Sequence, residues 1–138
     1  MEFLEEAIRA HALLNSSIVA LINDRWHSVD LPERAQLPAV TVQEISNVPE
    51  HSHSGHSGLE LSRYQITTWG RTSCEAMRLA HAISHHFDGY RGRMGGNEGI
   101  EVGRCAKANR VSFGREPGQR VFKVATDFKI WHQVDYGV

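Results

Sequence analysis

Residues 59–90 read LELSRYQITTWGRTSCEAMRLAHAISHHFDGY, and this stretch decides the fold. Its first part, Leu59 to Trp69, is a strand rich in β-branched and aromatic residues, closed by Gly70. Leu59 and Leu61 share one phase of the alternation, whereas Tyr64 and Ile66 share the other. One buried face requires one phase, so the change predicts a bulge or bend near Ser62 or Arg63. Thr72 stands three residues before Glu75, the spacing at which a hydroxyl and a carboxylate cap the start of a helix. Ala76, Leu79, Ala80, Ile83 and Phe87 then recur at helical spacing as an apolar stripe. Gly89 follows Asp88, where a left-handed residue ends a helix. The stretch is therefore a strand, a sharp turn, and a helix laid across the sheet that contains the strand.

Upstream, Phe3, Leu4, Ala7, Ile8, His11 and Leu14 form the apolar side of an N-terminal helix, with acidic residues in its first turn. Asn15-Ser16-Ser17 either ends that helix or caps a short second one from Ile18 to Ile22, with Asn23-Asp24 as its exit. Residues 24–37 lack a sustained period and are expected to be a connector. Pro38 to Ser46 reads as a strand. The polar segment 50–58, EHSHSGHSG, is expected to be a mobile hairpin tip. Downstream, residues 89–103 hold six glycines in fifteen positions and read as a permissive loop. Ile100 and Val102 open a third strand. The last strand is the clearest, with Phe122, Val124, Thr126, Phe128 and Ile130 on one face and Lys123, Asp127, Lys129 and Trp131 on the other. The expected architecture is α+β: a mostly antiparallel four-stranded sheet, with an N-terminal helix and a central helix packed on one face, in a single domain spanning 1–138.

Composition narrows the function classes. The 138 residues suit one core, and 41% hydrophobic with 22% charged residues is ordinary for a globular chain. Fifteen basic and sixteen acidic residues give a net charge of −1, which lends no support to bulk nucleic-acid binding. No apolar run is long enough for a membrane helix, and neither a signal peptide nor a membrane partner is expected. Cys74 and Cys105 are too far apart in sequence to define a zinc site or a disulfide framework, and both are read as reduced thiols. Cys74 falls in the first turn of the central helix, where thiolate is favoured, but a semi-buried structural cysteine fits better.

Candidate chemistry is sparse. His51, His53 and His56 could supply imidazole ligands to zinc or nickel, yet their spacing matches no standard site, and a solvated loop is the favoured reading. Neither a nucleophile elbow, nor H-E-x-x-H, nor a phosphate-binding loop occurs, so no catalytic residue and no cofactor is assigned. Of His85 and His86, one is expected to graze the core and the other to face solvent. Arg91, Arg93 and Arg104 flank or interrupt the glycine-rich segment and are candidate contacts to a partner. Trp131, outward on the last strand, is another.

Taken in order, LPAVTV (37–42), SGLELSRYQITTWG (57–70), EAMRLAHAISHHFDGY (75–90) and DFKIWH (127–132), after an amphipathic helix, form a recognisable set. From about Ala7 to His132 the chain resembles the tail-completion, or tail-terminator, proteins of long-tailed bacteriophages and related phage-like particles. The segments 50–58 and 89–103 depart most from that pattern. The resemblance implies a non-enzymatic virion protein, made in the host cytoplasm, that forms a homo-oligomeric ring, typically of six copies. Such a ring caps the head-proximal end of the tail tube, with tube protein below and a head connector or stopper protein above. Genome DNA passes through its lumen without specific binding. A different neck component, such as a head-completion or stopper protein, is the second reading, and a small cytoplasmic metal-binding or catalytic protein the third.

Overall fold

The computed structural model describes residues 3–52, 55–114 and 121–134. In chain order the elements are α1 (Leu4–Ala12), α2 (Ser16–Ile22), β1 (Trp26–Ser28), β2 (Ala39–Ser52), β3 (Gly55–Gly70), α3 (Ser73–Phe87), β4 (Gly92–Met94), β5 (Ile100–Phe113) and β6 (Phe122–Gln133). One six-stranded sheet runs β1-β2-β3-β6-β5-β4, with β1 parallel to β2 and every other pairing antiparallel. The last strand thus lies in the middle of the sheet, between β3 and β5.

Helix α3 starts and stops as the capping residues require. The Thr72 hydroxyl accepts from Glu75 N–H at 3.0 Å. The Glu75 carboxylate reaches back to Arg71 N–H at 2.9 Å, one residue earlier than in a standard capping box, and this bond holds its carboxyl below the usual carboxylate range. At the other end Gly89 takes φ 82° and turns the chain. Gly89 N–H then donates to the Cys105 carbonyl at 2.8 Å, and Cys105 N–H to the Tyr90 carbonyl at 3.1 Å, which clips the helix exit onto β5. Gly70 is needed for a different reason: a Cβ there would meet Ala76 N at 2.6 Å, so only glycine lets the strand end approach the first turn of α3. The buried Thr68 hydroxyl donates to the Ala76 carbonyl at 2.8 Å, tying the same turn to β3.

The three helices share a core with one face of the sheet. From α3 come Leu79, Ile83 and Phe87; from the sheet Val40, Val42, Tyr64, Ile66, Val102, Cys105, Phe128 and Ile130; from α1 and α2 Leu4, Ala7, Ile8, Ala12, Ile18 and Ile22. Phe87 meets Phe128 with ring centroids 5.7 Å apart. Asn15 both follows α1 and caps α2, its side-chain oxygen accepting from Ser17 N–H and Ile18 N–H at 2.9 and 3.1 Å. His86 is half-buried and His85 exposed, as their positions on α3 dictate.

Several expectations need correction. The sheet has six strands rather than four: β1 falls inside the 24–37 connector and β4 inside the glycine-rich segment 89–103. Strands of three residues carry no readable alternation and exist because a longer neighbour offers them a ladder. The polar segment 50–58 is not simply a hairpin tip, since β2 runs on to Ser52 and β3 begins at Gly55, with His51 opposite His56. The bulge foreseen near Ser62 or Arg63 is on the neighbouring strand. The register of β3 with β6 is unbroken from Leu59↔Gln133 to Gly70↔Phe122, whereas β2 slips between Glu44 and Ser46 and between Pro49 and His51. Ser62, Tyr64, Ile66 and Thr68 face the core in one phase, and Leu59 and Leu61 stay on the other face. Phe3 and Leu14 leave the α1 stripe and are exposed, because Phe3 is the extended N-cap and Leu14 lies beyond the C-cap at Leu13.

Histidine joins α1 to α3. The buried His11 ring stacks on His86 at 4.1 Å and 16°, and packs against Phe87 at 5.0 Å and Tyr90 at 4.2 Å. His86 Nε2 lies 2.8 Å from the His11 carbonyl, so that nitrogen carries the proton. His86 Nδ1 is then free to accept from the Asn15 amide at 3.2 Å. Burial, reinforced by the neighbouring His86, lowers the His11 pKa from 6.5 to about 4.

Two outcomes follow from this packing. Phe128→Ala is expected to cost roughly 3–5 kcal/mol in chemical denaturation, and Lys129→Ala, on the solvent side, within about 0.5 kcal/mol. Because the folded-state pKa of His11 is depressed, the unfolded chain takes up the proton first. The contribution of neutral His11 to stability is therefore fully present above pH 6.5 and is lost as pH falls from 6.5 toward about 4. Denaturation midpoints measured across that window should fall less steeply in His11→Phe than in the wild type, the remainder including the buried His132, whose pKa is also lowered.

Candidate functional site

The helices leave the far end of their sheet face uncovered, where β2, β3 and β6 run past α1. A cleft of about 750 Å³ opens there, lined by Glu44, Asn47, Glu60, Ser62, Tyr64 and His132, with Arg93, Ile100 and Glu101 on the β4–β5 side. Ser62 Oγ lies 2.7 Å from His132 Nε2, and Asn47 Nδ2 donates to Ser62 Oγ at 2.9 Å and to Glu60 Oε1 at 2.8 Å. The Tyr64 hydroxyl donates to Glu44 at 3.0 Å; burial, then this carboxylate, push its pKa up, so the phenol keeps its proton. Burial lowers the pKa of His132, which favours the neutral ring.

A serine and a histidine at this distance invite a nucleophile–base reading. The surroundings oppose it: both residues are buried, Ser62 also accepts from Asn47, and the other ring nitrogen, Nδ1, lies 3.3 Å from the Gln133 carbonyl rather than against a carboxylate. The network braces β2, β3 and β6 where no helix covers them. The alternation on β6 extends through Ile130 to His132, so the burial of His132 could have been read from sequence, but its partner depends on a register that sequence does not display.

On the helix-free face the sheet carries a second group. Arg63 pairs with Asp127 at 2.7 Å, and Gln65 donates to the other carboxylate oxygen at 3.1 Å. Arg104 lies over the Trp131 ring at 5.2 Å, its cross-strand neighbour. Lys123 sits over Trp69 and Phe113 at 5.3 and 4.8 Å. Trp69 Nε1 donates to Thr41 at 3.0 Å.

The residues singled out from sequence do not converge. Arg104 and half-buried Trp131 stack on the helix-free face, whereas Arg93 is on β4, facing Glu101 at 3.6 Å and donating to the Gly99 carbonyl at 3.1 Å. Arg91 is exposed just before β4. His53, and the side chains of His51 and His56, lie outside the described residues, among which no cluster of three metal-binding side chains occurs. Cys74 is exposed rather than semi-buried. Cys105 is buried, and burial pushes its thiol up to about 12, which leaves it unreactive.

Comparisons with known proteins agree with this architecture. No curated protein matches the sequence. A chain in the solved structure "Virion of native gene transfer agent (GTA) particle" has the same fold, with a TM-score of 0.76 over 94% of both chains at 12% identity. Residues 6–133 match the family described as Tail completion protein gp17. The chain belongs to that family and is a structural protein of the phage tail, located in the virion.

Proposed function

We propose that the protein forms a ring, of six copies, at the head-proximal end of the tail tube. There it stops tube growth and presents a surface to the head connector or stopper protein. The observation that carries this reading is the family match over residues 6–133. The fold shared with a chain of a phage-like particle is consistent with it. The reading assigns no catalysis: the polar groups of the cleft are engaged with one another. Arg91, Arg93, Arg104 and Trp131 are proposed as contacts to neighbouring proteins, with the stacked Arg104–Trp131 pair offering a preorganised anchor.

Loss of the protein from producing cells should give tails of uncontrolled length that do not join heads, seen by electron microscopy. Tails of normal length beside heads that lose their DNA would instead indicate a stopper protein and overturn the ring-cap reading.

Passage of the genome constrains the lumen. A net charge of −1 argues against a basic lining that would hold the phosphate backbone. Acidic residues are accordingly proposed to be at least as common as basic ones around the channel, with Arg91, Arg93 and Arg104 directed toward protein partners or the outer rim rather than the axis. The purified protein is expected to show no duplex DNA binding at physiological salt. A salt-sensitive interaction removed by Arg91→Ala with Arg93→Ala would contradict this.

A further inference from the structure

Both long outer strands are only half covered, and the uncovered halves are complementary. β1 pairs with Val40–Val42, and Val29 N–H closes on the Val42 carbonyl at 2.8 Å. From Gln43 onward β2 has no strand on that side among the described residues. At the opposite edge β4 covers Ile100–Val102 of β5, the α3 exit takes up Cys105, and Asp88 accepts from Lys107 N–H at 3.0 Å. Beyond Lys107, β5 likewise has no outer neighbour among the described residues. Successive antiparallel pairings make β2 and β5 run in opposite directions, so the bare halves lie at opposite ends of the sheet.

Both bare edges carry exposed apolar side chains: Ile45 and Val48 at 48% and 56%, Val111 and Phe113 at 42% and 43%. An open strand with such residues is a template for another strand. Their charges are opposite. Gln43–Glu50 carries Glu44 and Glu50 and no Lys or Arg, whereas Lys107–Phe113 carries Lys107 and Arg110 and no Asp or Glu.

Building on the ring reading, we infer that the bare β2 edge of one copy pairs antiparallel with the bare β5 edge of the next. Pairing β2 with β2, or β5 with β5, would set like charges against one another, which disfavours a two-fold dimer. The heterologous pairing lays the acidic half-edge of β2 along the basic half-edge of β5, and brings the exposed Ile45 and Val48 beside the exposed Val111 and Phe113. A contact between two different edges propagates from copy to copy and closes into a ring when the rotation allows. The offset between the bare halves staggers neighbouring copies, and a closed sheet absorbs such stagger by tilting its strands. Pro49, which has no N–H, keeps the new ladder short.

The test uses two charge-reversed proteins, Val48→Lys with Glu50→Lys, and Lys107→Glu with Arg110→Glu. Each alone should be monomeric by light scattering, with wild-type circular dichroism and thermal midpoint, while wild type assembles. An equimolar mixture should regain the wild-type assembly mass, because every β2 edge then meets a β5 edge of opposite sign. Should either double change disturb the fold, Glu50→Lys and Arg110→Glu carry the same test singly. Assembly by either variant alone, failure of the mixture to assemble, or a monomeric wild type would overturn the inference. The ring reading is judged separately, on tail length and head joining in particles. Edge variants that still assemble would remove this interface and leave that reading standing.

Discussion

The structure depends on one crossing: α3 passes over the central β3–β6 pair, with Phe87 set against Phe128. Everything that fixes α3 serves that contact. Gly70 allows the helix to start immediately at the strand end, Thr68 holds its first turn, and the Gly89–Cys105 bond anchors its exit. With those three points fixed, the apolar stripe of α3 has one place to lie, and α1 and α2 fill the space left beside it on the same face. Among the described residues the opposite face receives no helix, and it carries paired polar groups, Arg63 and Gln65 with Asp127.

What sequence reveals here follows from how many residues each element has to state its pattern. α3 announces itself through Thr72, Glu75, five apolar positions and Gly89, and it was legible almost to the residue. β6 was legible for the same reason, its alternation running through Phe128 and Ile130. β1 and β4 were not, because three residues beside a longer strand obey their neighbour's ladder rather than their own pattern. β3 itself alternates without a break through Leu59 and Leu61; apolar residues on the open face of a sheet look like core residues out of step. The slip is one strand over, at Ile45, where a polar and mixed sequence conceals it.

The candidate sites were less legible than the fold. Arg104 and Trp131 could be named as candidate contacts, but Trp131 is half-buried, and their stacking depends on the β5–β6 register, which itself slips between Val102 and Arg104. Ser62, Asn47 and His132 come from three strands, and no spacing along the chain foretells their meeting. The family resemblance succeeded where local chemistry could not, since order and spacing of whole elements survive when individual contacts change.

The position of β6 has a consequence for how the chain comes together. The strand made last among those described is inserted at the centre, pairing Leu59 with Gln133 and Thr68 with Val124 across long separations in sequence. The β2–β3 hairpin and α3 can form early from neighbouring residues, yet the β3 edge stays open until residues 122–133 arrive. High contact order of this kind slows folding and prolongs exposure of an unpaired strand. A nascent chain halted before Phe122 would therefore present Tyr64 and Ile66 on a bare edge, and completion of the core waits on the final strand.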